Sequence, residues 1–143
     1  MIGFISSVIA GAAMSVQGVF NTRLNESIGL LESNTFVQGS AFVLSLIAMF
    51  AFGNGDIKAV SQVNKLYLTG GILGLVITLS VITGIKNLHP TVATSAILIT
   101  QLTVSAVIEA FGLFGTEKLP FVWQNWVGIG LMIAGVLTFK AAS

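Results

Sequence analysis

Five long, uninterrupted apolar runs determine what this chain can fold into. The runs cover residues 2–23, 34–53, 66–86, 91–114 and 121–140. Each is close to the about 20 residues that an α-helix needs to cross a bilayer. Charged residues make up 8% of the chain, against about 25% in an average soluble domain, which is too little polar surface for a soluble globule. We therefore predict an all-α integral membrane protein, with residues 1–143 forming a single transmembrane domain of five spanning helices.

The charges of the segments between these runs give no preferred orientation. An odd number of spans places the two chain ends on opposite sides of the membrane, and the Lys and Arg residues of short loops set which side is which. One side receives Lys58, Lys65 and Lys118, and the other receives Arg23, Lys86 and Lys140. This balance predicts dual topology, in which copies inserted both ways pair as an antiparallel homodimer of ten helices. A miscounted loop charge, or a paired homologue of opposite orientation, is the alternative.

Small residues mark helix faces that can approach another helix closely, which is how membrane helices associate. The last run, with "VGIGLMIAGV", combines a small face with an apolar interior and is the best candidate for a subunit interface. Packing within one chain is the simpler explanation of the same pattern. The predicted dimer-interface residues are Gly128, Gly130, Ala134 and Gly135.

Polar side chains concentrate in two of the runs. In the first run, Gln17 and Asn21 lie one helical turn apart. The fourth run contains Thr94, Gln101, Ser105 and Glu109. Of these, Gln101, Ser105 and Glu109 recur every fourth residue and form one stripe. Glu109 is the only acidic residue inside a predicted span, and a carboxyl group there should face the protein interior or a water-filled path.

We predict that these six residues line a substrate path, with Glu109 supplying charge or proton coupling. Each also has a simpler explanation. The amides can form hydrogen bonds between helices, worth about 0.6 kcal/mol on average, and Glu109 lies close enough to the end of its run to reach the membrane surface.

No constellation of residues indicates an enzyme. The chain has no Cys and a single His, and it contains neither a phosphate-binding loop nor an HExxH zinc motif. We expect no catalytic residue, no metal site and no cofactor. With six basic and five acidic residues, nothing suggests nucleic-acid binding. The expected partners are the lipid bilayer, a small-molecule substrate and a second copy of the chain.

Several stretches resemble the YdcZ-like family of small bacterial membrane proteins in the drug/metabolite transporter superfamily. The resemblance covers essentially the whole chain. It is carried by "AGAAMSVQGVFNTRL" in the first run, "TFVQGSAF" in the second, "TGGILG" in the third and, most specifically, "QLTVSAVIEAFGLFG" in the fourth. The last run also looks like the final helix of small multidrug resistance transporters, which pairs the subunits of that group.

The resemblance implies five transmembrane helices, export of small molecules across the bacterial inner membrane, and assembly from oppositely oriented copies. The family pattern places a Gln and an Asn in the first helix, which match Gln17 and Asn21. It places a Gln and an acidic residue in the fourth helix, which match Gln101 and Glu109. The family often has Asp where this chain has Glu109. The essential Glu that small multidrug resistance proteins carry in their first helix has no counterpart here.

These observations lead to a functional hypothesis with alternatives. We expect a transporter of small organic solutes that works by alternating access as an antiparallel homodimer, in the manner of inverted-repeat transporters. A dual-topology ion channel, one half of a heterodimeric transporter, or a non-transporting assembly subunit would fit the same sequence. Saturable flux separates a transporter from a channel.

Overall fold

The computed structural model describes residues 1–141, and helices dominate it. Five α-helices follow one another along the chain, and no strand occurs in this part of it. The predicted all-α class is therefore confirmed. The α-helices are Ile2–Ile28 (α1), Leu30–Phe52 (α2), Gly70–Leu88 (α3), Pro90–Phe111 (α4) and Trp123–Ala141 (α5). Short 3-10 helices cover Ile57–Gln62, Lys65–Thr69 and Leu113–Gly115.

The connection between α1 and α2 is a single glycine. Gly29 has φ 98° and ψ 161°, a conformation that costs glycine far less than any residue with a Cβ. Both helices run past the apolar segments that predicted them, so that α1 ends at Ile28 and α2 begins at Leu30. Polar residues at a helix end can lie outside hydrocarbon, and they then do not oppose the helix. The apolar run therefore predicts the span better than it predicts the end of the helix.

A single residue also separates α3 from α4. His89 has φ 65°, and Pro90 occupies the first turn of α4. Proline lacks an N–H group, which a first-turn residue does not need, and it disfavours the helical conformation in the residue before it. The break predicted between the third and fourth runs is confirmed at this position.

The chain forms two compact units, Met1–Lys86 and Asn87–Ser143. Within the first unit, α1 lies against α3 at Gly18, where a Cβ would come 2.8 Å from Ile85 Cδ1 and 3.3 Å from Val81 Cγ1. The absence of a side chain at Gly18 is what allows the two helices to come this close. Ile82, 1% exposed, and Ile85 are the buried apolar residues of this unit.

Most large apolar side chains point away from the protein. Phe4, Phe42, Phe50, Ile72 and Leu131 are all more than half exposed. A soluble protein rarely leaves so much apolar surface in contact with water. In a bilayer, lipid tails cover such a surface at no cost, so the exposed side chains agree with the class predicted from composition.

Four helical segments of the described chain are long and apolar enough to cross a membrane. They are α1, α2, α4 and the stretch Lys65–Leu88 that contains α3. Helix α5 has 19 residues, begins "WQNW" and carries Lys140 in its last turn, which shortens its apolar part. Trp123 and Trp126 are residues that membrane surfaces favour. The fifth span stays a prediction.

Replacing Gly18 by leucine should weaken the contact between α1 and α3. Forcing extra methylenes into a packed site costs about 1–3 kcal/mol, so we expect Gly18→Leu to lower the melting temperature of the detergent-purified protein by several degrees. Gly11→Leu is the matched control on the same helix, because nothing lies within 4 Å of a Cβ at Gly11. Equal melting temperatures for the two variants would contradict the packing described above.

Candidate functional site

An open groove runs along one face of α1. Its volume is about 600 Å³. The small side chains of Ala12 and Ala13 leave a depression between larger neighbours, and the lining is apolar except at one end. The lining residues are Ile9, Ala12, Ala13, Val16, Gln17, Phe20 and Asn21.

The two predicted amides of α1 lie at the polar end of this groove and differ in burial. Gln17 is exposed, whereas Asn21 is 7% exposed. Neither side chain makes a hydrogen bond within the part of the chain that the structure describes. Gln17 and Asn21 thus line the same groove on one face of α1, as their spacing predicted. Both side-chain amides are without a hydrogen-bond partner in the described chain and can bind a ligand.

The most deeply buried polar residues of the described chain flank the connection between α1 and α2. Thr22 and Ser33 satisfy their hydroxyls locally, by donating to the carbonyls of Gly18 at 2.8 Å and Leu30 at 3.0 Å. Asn34 is different, because it is 6% exposed and its Oδ1 atom is buried with no hydrogen-bond partner among the described residues. A buried amide oxygen without a donor is destabilising and calls for an explanation.

Sequence reasoning missed a second amide pair, which lies on α2. Asn34 and Gln38 are four residues apart on that helix, as Gln17 and Asn21 are on α1. Gln38 approaches α3, since its Nε2 atom is 3.3 Å from the position a Cβ would take at Gly74. The signal was present in the repeated "VQG" of residues 16–18 and 37–39. Asn34 gave no such signal, because it stands at the edge of an apolar run.

In the second unit, α5 packs on one side of α4 and leaves the predicted polar stripe open. The half-buried face of α4 consists of Ile99, Thr103, Ala106 and Ala110. Gln101, Ser105 and Glu109 are exposed, and Thr94 on the same face is half-buried. At 3.6 residues per turn, the stripe lies well over a quarter turn from the packed face. The spacing that predicted one stripe of Gln101, Ser105 and Glu109 falls within a continuous helix, and the role of these residues stays a prediction.

The hydroxyls of α4 fall into two groups. Thr100 and Thr103 donate to the carbonyls four residues before them, at 2.9 and 2.8 Å. Neither Thr94 nor Ser105 has a hydrogen bond within the described chain. The hydroxyls of Thr94 and Ser105 are therefore free to bind a solute or water, as are those of Thr91 and Ser95 at the start of the same helix.

Residues 112–119 fold back over the end of α4, close to Glu109. Gly112 closes the helix in the left-handed conformation, with φ 63°. The backbone N–H of Leu119 donates to the carbonyl of Glu109 at 3.0 Å, and the Thr116 hydroxyl donates to the carbonyls of Leu113 and Ile108. The Glu109 carboxylate itself has no ion pair among the described residues. The backbone of Glu109 is thus fixed by a hydrogen bond, while its carboxylate remains free to interact with a solute, water or another chain.

The predicted dimer-interface residues do not share one face of α5. At 3.6 residues per turn, Gly128 and Gly135 lie on one side of the helix, and Gly130 and Ala134 lie on nearly the opposite side. Gly130, Ala134 and Gly135 are exposed and Gly128 is half-buried. Nothing lies within 4 Å of a Cβ built at any of the three glycines. Packing within the described chain therefore leaves these glycines uncovered, and their pairing with a second copy remains a prediction.

Long apolar helices with lipid-facing side chains, and polar residues confined to a few faces, define a multi-pass helical membrane protein. The model of the family described as "Putative inner membrane exporter, YdcZ" matches residues 2–138. The chain belongs to this family, so the resemblance seen in the sequence is confirmed, and it is a multi-pass protein of the inner membrane. No curated protein and no solved structure matches it.

Introduced cysteines can establish whether the stripe of α4 faces water. The natural chain has no cysteine, and a thiol reacts as the thiolate, which needs a polar environment. We expect Ser105→Cys in membranes to react roughly tenfold faster or more with a water-soluble maleimide than Val107→Cys does. Both positions are exposed, but Val107 lies on the opposite side of the helix. Equal rates would show that the stripe is not a water-filled path.

Proposed function

We propose that this protein exports small organic solutes by alternating access as an antiparallel homodimer of the drug/metabolite transporter superfamily in a bacterial inner membrane. The family match supports export and a transporter rather than an enzyme. The open polar stripe of α4 is the observation that carries the proposal, because polar residues in a spanning helix mark substrate or ion pathways. Gln17 and Asn21 of α1, with Thr94, Gln101 and Ser105 of α4, donate and accept hydrogen bonds to the solute.

The balance of basic residues supports the dimer. The three basic residues expected on one side, Lys58, Lys65 and Lys118, are matched by Arg23, Lys86 and Lys140 on the other. Lys86 and Lys140 occupy the last turns of α3 and α5. With no bias, insertion in both orientations follows from the rule that sets topology. Two identical subunits of opposite orientation then form the inverted repeat that alternating access uses.

A reporter at the C-terminus tests dual topology. We expect a fusion to a periplasm-active enzyme and a fusion to a cytoplasm-active enzyme both to show activity, because the charges do not favour one orientation. Adding two lysines to one exposed loop, as Ser61→Lys with Gln62→Lys, should shift the protein to a single orientation. Ser61→Gln is the neutral control. Activity of only one fusion in the natural chain would exclude the homodimer and indicate a paired homologue.

The carboxyl group of Glu109 is the proposed coupling group. In proteoliposomes, we expect Glu109→Gln to remove the dependence of solute flux on an imposed pH gradient, because the amide cannot gain or lose a proton. Glu117→Gln changes the nearest other acidic residue in the sequence and should leave flux unchanged. Unaltered pH dependence in Glu109→Gln would exclude this residue from coupling. Flux that rises without saturation would instead indicate a channel.

A further inference from the structure

The connection between α2 and α3 exposes apolar side chains outside the candidate spans. It covers residues 53–64, which lie between the span formed by α2 and the span that contains α3. Its large apolar residues are Ile57, Val60 and Val63, which are 69%, 48% and 42% exposed. If the connection projected into water, these side chains would stay hydrated, which is unfavourable for apolar surface. The exposure therefore calls for something apolar that covers them.

A spacing of three residues places these apolar side chains in one row. Residues Ile57–Gln62 form a 3-10 helix, in which side chains three residues apart lie directly above one another. Ile57 and Val60 therefore share a face. The turn continues to Val63, whose backbone N–H donates to the Val60 carbonyl at 3.4 Å. An α-helix would spread the same three side chains over about a third of its circumference, so the 3-10 geometry is what aligns this apolar row.

The adjacent face of the same 3-10 helix is polar and basic. Lys58 and Ser61 are three residues apart and exposed, and the Ser61 hydroxyl donates to the Lys58 carbonyl at 3.0 Å. The Lys58 ammonium group has no ion pair among the described residues. The Asp56 carboxylate caps the start of the helix, where its Oδ1 atom accepts the backbone N–H of Lys58 at 2.9 Å. An apolar row beside a free lysine is typical of a segment that lies in a membrane interface.

Both ends of the connection are held close to one membrane surface by the adjacent spans. Helix α2 ends at Phe52, and the next candidate span begins at Lys65. The lipid surface at which these two spans end is therefore continuous with the connection. Lipid acyl chains can cover an apolar row, and anionic headgroups attract a lysine beside it. The bilayer thus fits both faces of the 3-10 helix.

We propose that the 3-10 helix Ile57–Gln62 lies flat on the bilayer surface. Its apolar row of Ile57, Val60 and Val63 inserts at the boundary between headgroups and acyl chains, and Lys58 is directed at anionic lipid headgroups. The connection is thus a lipid-binding element that anchors the adjacent ends of α2 and α3 at the interface. This assignment depends neither on the transported solute nor on the dimer.

A cysteine scan through the full chain tests this arrangement. The natural chain has no cysteine, so each variant carries a single nitroxide label. In nanodiscs of phosphatidylcholine and phosphatidylglycerol, power saturation compares collisions of the label with oxygen, which concentrates among acyl chains, and with a water-soluble nickel chelate. We expect the ratio of oxygen to nickel collisions to be roughly threefold higher or more at the apolar row than at the polar face. The labelled positions are Ile57, Val60 and Val63 in the apolar row, and Lys58 and Ser61 on the polar face.

Two other outcomes of the scan would overturn the assignment. Frequent nickel collisions at all of these positions would show that the connection projects into water. Infrequent collisions with both reagents at the apolar row would show that a protein surface, such as a second copy of the chain, covers it.

Matched substitutions test whether the apolar row holds the connection on the lipid. With the label at Val63, Val60→Asn should lower the oxygen-to-nickel ratio by about half or more, because it places an amide on the inserted face. Ser61→Asn introduces the same side chain on the polar face and should leave the ratio unchanged. Equal ratios in the two variants would contradict insertion of the apolar row.

Lipid composition tests the assigned contact of Lys58. With the label again at Val63, Lys58→Gln should lower the oxygen-to-nickel ratio more in nanodiscs that contain phosphatidylglycerol than in nanodiscs of phosphatidylcholine alone, because the attraction depends on anionic lipid. Ser61→Gln is the matched control on the same face and should leave the ratio unchanged in both lipids. The same ratio in Lys58→Gln as in the natural lysine background would overturn the contact of Lys58 with anionic headgroups.

Discussion

Hydrocarbon supplies no hydrogen bonds, and the rest of this structure depends on that constraint. Backbone groups meet it by forming helices in all the candidate spans, since every N–H and C=O must be satisfied internally. Many hydroxyls meet it in the same way, as when Ser7, Thr78 and Thr138 donate to the carbonyl four residues earlier. The side-chain amides of Gln17, Asn21 and Gln101 and the carboxyl group of Glu109 have no such local partner among the described residues. They are therefore the groups that need another helix, water or a solute.

This difference between hydroxyls and amides sorts the polar residues of the chain. The hydroxyls of Thr100 and Thr103 donate hydrogen bonds to carbonyls of their own helix. The side-chain amides of Gln17, Asn21 and Asn34 have hydrogen-bonding atoms without a partner among the described residues. An exporter must bind a polar solute during transport and release it afterwards. Polar side chains without hydrogen-bond partners in otherwise apolar helices suit such reversible binding. The protein without solute already bears the free-energy cost of leaving these groups unpaired.

Small residues contribute to packing in a position-dependent way. Gly18 and Gly74 each lie where another helix comes close, at Ile85 and at Gln38 respectively. Gly11 on α1 and Gly70 on α3 have nothing within 4 Å of a Cβ. A glycine in the sequence of a helix therefore does not by itself tell where another helix comes close. That depends on the crossing point of the two helices.

Apolar run length alone determined that this protein is helical and crosses the membrane, because a run of about 20 apolar residues has no other stable arrangement in a bilayer. Helical periodicity also grouped Gln101, Ser105 and Glu109 on one face. Only the tertiary structure decided that Asn34 is buried without a donor and that Gln38 meets Gly74. Burial depends on which faces of α1, α2 and α3 meet, and a single Asn at the edge of an apolar run carries no information about its neighbours. The turn at Gly29 likewise decided that α1 ends at Ile28 and α2 begins at Leu30. The apolar runs did not predict these helix ends, because the residues around the turn are partly polar.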